Sequence, residues 1–250
     1  MRSIIFFALL FFTLLFKPNF FIQAAIIEYD QTEYEWMDGI ALAAGTDKSS
    51  AYHNYTKVYS QYFKNCRNQP IKFLEIGIYK GDSVKFWEGY FSIADLHFID
   101  ITNQYLLYQS NRSKYHFIDQ SNIPKLQQFA SKEGPFDIIL DDGGHTMVQQ
   151  ISSFLALFSS VKKGGLYIIE DLHTSYWTNY GGSGNVEKAN EGTTVGYLKN
   201  LIDHVNFPGA AAVCADPDKL PENLKVQLVD FRKQIESIHF HPSVCLIEKK

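Results

Sequence analysis

The stretch FDIILDDGGHTMVQQISSFLALFSSV, Phe136 to Val161, holds a whole strand-turn-helix unit. Phe136–Leu140 is a short apolar run that reads as a buried strand. From Met147 onward apolar residues recur at helical spacing, an amphipathic helix with its stripe toward a core. Between them stand Asp141, Asp142, Gly143, Gly144 and His145. Two like charges at the end of an apolar strand, with a histidine three residues past the second, need a reason that packing does not supply.

The same unit recurs on both sides. IKFLEIGI (71–78) is a strand ending in a glycine turn, and GDSVKFWEGYF (81–91) a helix. DLHFIDI (95–101) and KYHFIDQS (114–121) are further strands, and IPKLQQFASK (123–132) a helix. GGLYIIED (164–171) is a fifth strand and TVGYLKNLIDHV (194–205) a helix. ESIHFHPSVCLIEK (236–249) closes the chain as a strand pair broken at His241-Pro242. Alternating strands and helices predict an α/β fold, a doubly wound, mostly parallel seven-stranded sheet with an antiparallel terminal pair. Residues 26–66 read as a helical segment with loop signals at AGTDKSS, ahead of an α/β domain over 67–250.

The chain has 250 residues, 46% of them hydrophobic and 15% aromatic, enough for one substantial core and too apolar for disorder. A formal net charge of −4 offers no basic field for nucleic acid. Residues 1–25 stand apart. After Arg2, an uncharged apolar run from Ile4 to Phe16 ends at Lys17-Pro18. A helix of that length spans about 20 Å, short of a bilayer's roughly 30 Å core. It fits the h-region of a signal peptide, with Ala24 and Ala25 for cleavage, better than an uncleaved anchor running to Ile27. Either reading places the remainder outside the cytoplasm, with membrane contact only through the leader; a homo-oligomer is compatible with both. Cys66, Cys214 and Cys245 make no disulfide framework, with at most one bridge and one thiol, and no zinc spacing. Asn54-Tyr-Thr and Asn111-Arg-Ser are glycosylation sequons, a triplet that arises often by chance.

Ligands of open α/β sheets bind at the carboxyl ends of the strands. Glu75 lies near the end of the first strand, Asp100 ends the second, Asp119 the third, Asp141 and Asp142 the fourth, and Glu170 and Asp171 the fifth. Random surface charge would not gather at five successive strand ends. Gly77 and Gly81 make a tight turn in which Gly77 lets a ligand approach the backbone. Asp100 is placed to hold ribose hydroxyls. Acidic groups there would repel a pyrophosphate but suit a cationic nucleoside such as S-adenosylmethionine.

Glu75-x-Gly77-x-x-x-Gly81, then Asp100, FIDQSN, FDIILDDGGH and GGLYIIEDLHTSYW resemble the class I S-adenosylmethionine-dependent methyltransferases. More narrowly, the chain is similar to the metal-dependent sugar O-methyltransferases of mycinamicin and elloramycin or tetracenomycin type. Gly45-Thr46-Asp47-Lys48 matches their G-T-D-K stretch, and the resemblance runs from about Gly45 to Asn206. One departure is Gly144, where Asp-Asp-Gly-Ser-His is usual. The resemblance implies a methyltransferase catalytic domain over 67–250, with S-adenosylmethionine and Mg2+ as cofactors and a small-molecule hydroxyl, such as that of a sugar, as acceptor. It implies Glu75, Gly77, Gly81, Ser83, Asp100, Asp119, Gln120 and Asp141 on the cofactor side, Asp142, Glu170 and Asp171 at the metal, and His145 as general base.

The residue types support this independently. Magnesium takes hard oxygen ligands, and one ion would relieve the repulsion between two carboxylate clusters. A sulfonium methyl is already activated, so the difficult partner is the acceptor; a metal that acidifies a hydroxyl and a histidine that removes its proton suit an alcohol. An amine would not need the metal. Two other classes compete. His145, His173 and Asp142 or Asp171 could form the two-histidine, one-carboxylate centre of a non-haem iron hydroxylase, which leaves Glu75, Gly77 and Asp100 unexplained. A secreted, non-catalytic binding protein that kept the fold would suit the leader, because S-adenosylmethionine is mainly cytosolic. Trp177 and Tyr176 read equally as acceptor wall or as packing, and NYGGSGN (179–185) as a lid or an ordinary connection.

Overall fold

A computed structural model describes residues 30–213 and 234–250. The leader and Cys214 lie outside the described residues. Within them the order is α1 (Gln31–Ala44), α2 (Thr56–Phe63), β1 (Lys72–Ile76), α3 (Asp82–Tyr90), β2 (Asp95–Asp100), β3 (Ser113–Phe117), α4 (Ile123–Glu133), β4 (Phe136–Asp141), α5 (Met147–Leu157), β5 (Val161–Ile169), α6 (Thr194–Val213), β6 (Ile235–His241) and β7 (Val244–Lys249). The seven strands form one sheet in the order β3-β2-β1-β4-β5-β7-β6. β1 to β5 pair in parallel, while β7 runs antiparallel to both β5 and β6. This is the expected doubly wound sheet with its antiparallel edge.

Successive strand residues point to opposite faces, and both faces are covered. Phe73, Phe98, Leu140 and Ile168 pack with α1, α2 and α3 through Met37, Tyr59 and Trp87. Leu74, Ile99, Ile139 and Tyr167 pack with α4, α5 and α6 through Leu126, Phe154 and Leu198. The helices α1 and α2 share the core of the α3 face. Asp30 caps α1 by accepting from Glu33 N at 3.1 Å, and Gly45, at φ +81°, ends it. β5 begins at Val161, earlier than its sequence suggests, because only a 3-10 turn at Phe158–Ser160 separates it from α5. Among the described residues, no helix is long and apolar enough to cross a membrane.

Register positions the site. Ile76 pairs with Ile99 and with Asp141, and Asp141 with Ile169, so these four stand in one row across the sheet. The residues one step further, Gly77, Asp100, Asp142 and Glu170, therefore emerge side by side at the carboxyl edge. Their backbones prolong the ladder: Gly77 N donates to Ile99 O, Asp142 N to Ile76 O and Glu170 N to Asp141 O, at 2.7–3.0 Å. Gly77 sits at φ +104°, and a Cβ there would lie 2.0 Å from the Asp142 carbonyl oxygen. The β1 and β4 turns touch backbone to backbone, which only glycine permits.

On the α4 side, His97 and His116 stack 5.3 Å apart, His97 Nδ1 lying 3.2 Å from His116 Nε2. Burial, then His97, pushes the His116 imidazole down to about 4, and burial lowers His97 despite its Asp95 partner. A base depressed on folding stabilises the fold above its unfolded pKa and loses that contribution as pH falls through the folded value. Urea unfolding should therefore show stability falling from about pH 6.5 toward 4. His116→Phe should flatten that decline; an unchanged slope would show that the pair contributes nothing to acid sensitivity.

Candidate active site

A cavity of about 550 Å³ opens above the carboxyl edge, lined by residues that include Gly77, Ser83, Asp100, Asp119, Gln120, Asp142 and His145. Its size suits a cofactor-sized ligand. Asp100 anchors one wall: Oδ2 accepts from Ile78 N at 2.8 Å and Tyr79 N at 3.0 Å, and Oδ1 from Thr102 N at 3.3 Å. It shapes the glycine turn besides facing the cavity. Asp119 is exposed and held by Ser121, whose hydroxyl and amide pull its carboxyl below the usual range.

Three residues assigned to the cofactor side lie behind the wall and do not line the cavity. Gly81 is the left-handed N-cap of α3. Glu75 is fully buried, accepting from Ser83 Oγ at 2.8 Å and Trp87 Nε1 at 3.1 Å; burial pushes its carboxyl up to about 7, against the pull of Lys48. Asp141 is also fully buried. It accepts from Gln120 Nε2 at 2.9 Å, from Ser153 Oγ and, weakly, from Tyr167 and Gly143 N, and burial pushes it to about 6. The side chain of Asp141 points into the core because strand residues alternate, and its neighbour Asp142 turns to the cavity. Asp141 acts on the cavity through Gln120, whose Oε1 accepts from Gly144 N at 2.7 Å. A Cβ at Gly144 would lie 2.3 Å from the side-chain amide of Gln149, which closes the capping box of α5 with Thr146 and would have to shift.

Beside the cavity, ligand atoms of Asp142, His145 and Asp171 all lie within 4.8 Å of one another. His145 Nε2 is 3.8 Å from Asp142 and 3.5 Å from Asp171, while Nδ1 is buried with no hydrogen-bond partner. His145 and Asp171 both have left-handed backbones, φ +57° and +55°. Such strain persists only where surroundings impose it. The Thr174 hydroxyl lies between them, 3.1 Å from the His145 carbonyl and 2.8 Å from the Asp171 carbonyl. Tyr55 donates to Asp171 at 2.6 Å. Burial opposes the Asp171 charge, yet His145, Tyr55 and His173 hold its carboxyl below the usual range. Glu170 lies deeper, bonded to Tyr59 and Lys48, with its carboxyl pushed up by burial and by Asp142.

Lys48, which the sequence offers only as part of the G-T-D-K stretch and as a second candidate for the base, proves to be the cation of the carboxylate cluster. It is buried, and its ammonium bonds Asp142 and reaches Glu170 at 3.1 Å and Glu75 at 3.5 Å. Burial disfavours its charge, but the three carboxylates outweigh this and hold its pKa well above normal. With burial pushing Glu75 and Glu170 toward their neutral forms, Asp142 and Asp171 against one ammonium still leave excess negative charge, and these two converge near the opening. A hard divalent ion with several water ligands fits that donor set; magnesium matches it through Asp142 and Asp171, and Glu170 would need to leave Lys48 to join them. His173 bonds Ser243 Oγ through Nδ1 at 2.5 Å, and the ligand atoms that cluster among the described residues are those of Asp142, His145 and Asp171, without a second histidine. Trp177 is half exposed beside His173, whereas Tyr176 packs on the core. The 179–185 loop folds back, Gly182 N and Ser183 N bonding Trp177 O and Ser175 O at 2.9 Å. Cys66 and Cys245 are buried free thiols.

Removing one partner of a buried ion cluster strands the others. Lys48→Met is expected to lower stability by about 3–5 kcal/mol in metal-free urea unfolding, with magnesium recovering part of the loss. A variant as stable as its parent would show that the carboxylates do not need this cation.

A scan against protein-family models finds no match. Among curated proteins, the chain is 30% identical over 241 residues to the 8-demethyl-8-alpha-L-rhamnosyl tetracenomycin-C 2'-O-methyltransferase of Streptomyces olivaceus, across 92% of this chain and 58% of that protein. It is 34% identical over 214 residues to the mycinamicin VI 2''-O-methyltransferase of Micromonospora griseorubida, across 82% of this chain and 50% of that one. Among solved structures, the MycE methyltransferase of the mycinamycin biosynthetic pathway, in complex with Mg and SAH, superposes with a TM-score of 0.75 at 31% identity, covering 86% of this chain and 53% of that one. The chain thus spans little more than half the length of these relatives. It has the class I S-adenosylmethionine-dependent methyltransferase fold and is similar in sequence to the sugar O-methyltransferases of mycinamicin and tetracenomycin type.

Proposed function

We propose that this chain is an S-adenosylmethionine-dependent, magnesium-dependent O-methyltransferase acting on a hydroxyl of a sugar or glycosylated small molecule. The observation that carries the reading is the convergence of Asp142, Asp171 and His145 beside a cavity whose far wall is Asp100. The relatives are named for 2'- and 2''-O-methyl transfer, and the solved neighbour holds Mg and SAH. The bound sulfonium cofactor supplies an activated methyl group. Asp100 would hold its ribose, and Gly77 gives its backbone room. Asp142 and Asp171 would hold the metal and, through it, orient the acceptor hydroxyl. His145 Nε2 faces the same spot and is left to take the hydroxyl proton, since magnesium prefers oxygen ligands to imidazole. Alignment of acceptor and methyl group supplies much of the rate, about 7–11 kcal/mol when geometry is near ideal. The strained backbones of His145 and Asp171 favour this over a passive binding fold.

His145→Ala should cut turnover by about 10²–10⁴-fold while calorimetry shows cofactor binding preserved. Asp142→Ala and Asp171→Ala should lose turnover together with the response to magnesium. Methylation that persists in chelator, or a His145→Ala rate near that of the parent, would overturn these roles. Asp100→Ala should weaken S-adenosylmethionine at least about tenfold, since charge-assisted hydrogen bonds are lost.

The apolar run of the first 25 residues leads us to infer export, by cleavage near Ala25. A reporter fused after Ala25 should leave the cytoplasm with its leader removed. Retention of an intact Met1 terminus in the cytosol would overturn export and leave the site chemistry standing.

A further inference from the structure

Asp38 is a carboxylate where neither helix propensity nor burial favours one. It stands inside α1 and is only 7% exposed. Aspartate is a poor residue for a helix interior, and a buried charge is costly unless well bonded. Its bonds all come from the segment that joins α1 to α2. Oδ1 accepts from Ser50 N and from Thr56 Oγ1, each at 2.7 Å, and Oδ2 accepts from Ser50 Oγ at 2.5 Å. An apolar residue could pack at position 38, so packing does not call for the charge, whereas these three donors do.

The donors bracket two residues of the site. Ser50 lies two positions past Lys48, and Thr56 directly follows Tyr55. Thr56 is fully buried and also donates its amide to Lys48 O at 3.1 Å, so one residue ties Asp38 to the Lys48 backbone. The loop closes on itself between these points, His53 N donating to Asp47 O at 3.0 Å and Asn54 N to Ser49 O at 2.9 Å. From this frame the Lys48 ammonium bonds Asp142 and reaches Glu170, and Tyr55 donates to Asp171 at 2.6 Å. Asp38 itself touches none of these carboxylates; it holds both legs of the loop that does.

We propose that Asp38 is a positioning residue of the metal site, fixing the 45–56 loop so that Lys48 and Tyr55 aim Asp142 and Asp171 at one hard divalent ion. The inference rests on the magnesium reading of the site and extends it to α1. Loosening the loop leaves the Lys48 ammonium nearby, competing for the carboxylates, and removes only their alignment, so the ion is held less tightly. Losing a direct outer partner of a metal ligand typically costs about 10–100-fold in affinity, and Asp38, one contact further out, should cost about three- to tenfold.

Thermal unfolding of the full chain across a magnesium series tests it, because an ion bound by the native state raises the melting temperature once its concentration passes the dissociation constant. Asp38→Ala should need about three- to tenfold more magnesium for the same rise, and Tyr55→Phe about 10–100-fold more. Asp38→Asn should rescue, staying within about twofold of the parent, because its carbonyl oxygen can accept from Ser50 N and the Thr56 hydroxyl while its amide donates to the Ser50 hydroxyl. Asp137→Ala separates positioning from plain destabilisation. Asp137 stands at the amino end of β4, away from the site, and accepts from Lys72 N and Lys162 Nζ, each at 2.7 Å. Its loss should lower the melting temperature and leave the magnesium requirement unchanged. If Asp38→Ala does not fold, Thr56→Val removes the hydroxyl from the other end of the same bond and carries the same expectation. A magnesium requirement in Asp38→Ala or Thr56→Val equal to the parent's, or an equal shift in Asp137→Ala, would overturn the positioning role while leaving the metal site standing. A parent chain whose melting ignores magnesium would overturn the metal reading and the role of Asp38 with it.

Discussion

One buried ammonium among carboxylates governs this molecule. Parallel register brings Asp142 and Glu170 out at one level, with Glu75 just beneath, and so concentrates negative charge where desolvation makes it most costly. Lys48 is the cation that makes the arrangement tenable. It comes from the loop between α1 and α2, so the N-terminal helices are required at the site and not merely adjacent to it. Their packing against α3 through Tyr59 and Trp87 places Lys48, while Tyr55 and Tyr59 put their hydroxyls onto Asp171 and Glu170.

The cluster is divided by depth. Glu75 and Glu170 are turned to buried donors and serve as its foundation. Asp142, Asp171 and His145 stand nearer the opening, and the last two have left-handed backbones whose carbonyls both meet the Thr174 hydroxyl. The depths differ in their partners: Glu75 and Glu170 meet buried hydroxyl, indole and ammonium donors, whereas Asp142 and Asp171 stand nearer the opening, with Asp142 also bonded to Lys48. Asp141, next in sequence to Asp142, belongs to neither group, because one step along a strand reverses the side chain's face.

The relatives with named activities are nearly twice as long as this chain, and the likeness covers 82–92% of it. His173 packs against the half-exposed Trp177 next to Asp171, and Tyr79 and Tyr105 line the cavity.

Much of this was legible in the order of residues. Apolar runs of strand length, each followed by an amphipathic helix, determine a parallel doubly wound sheet, and carboxylates at the ends of those runs determine where a site lies. Asp100 and Asp142 could be placed at strand ends on those grounds, whereas the roles of Asp142 and His145 came from the family resemblance. Tertiary structure alone decided the depth of each carboxylate, since the face to which Glu75 and Asp141 turn depends on strand register and on Trp87, Ser153 and Gln120 elsewhere in the chain. It also decided that Lys48 meets Asp142 across 94 residues of sequence, and that Tyr79, His145 and Asp171 take positive φ. Periodicity carries local spacing and face, whereas long-range pairing and imposed backbone strain come only from what packs against what.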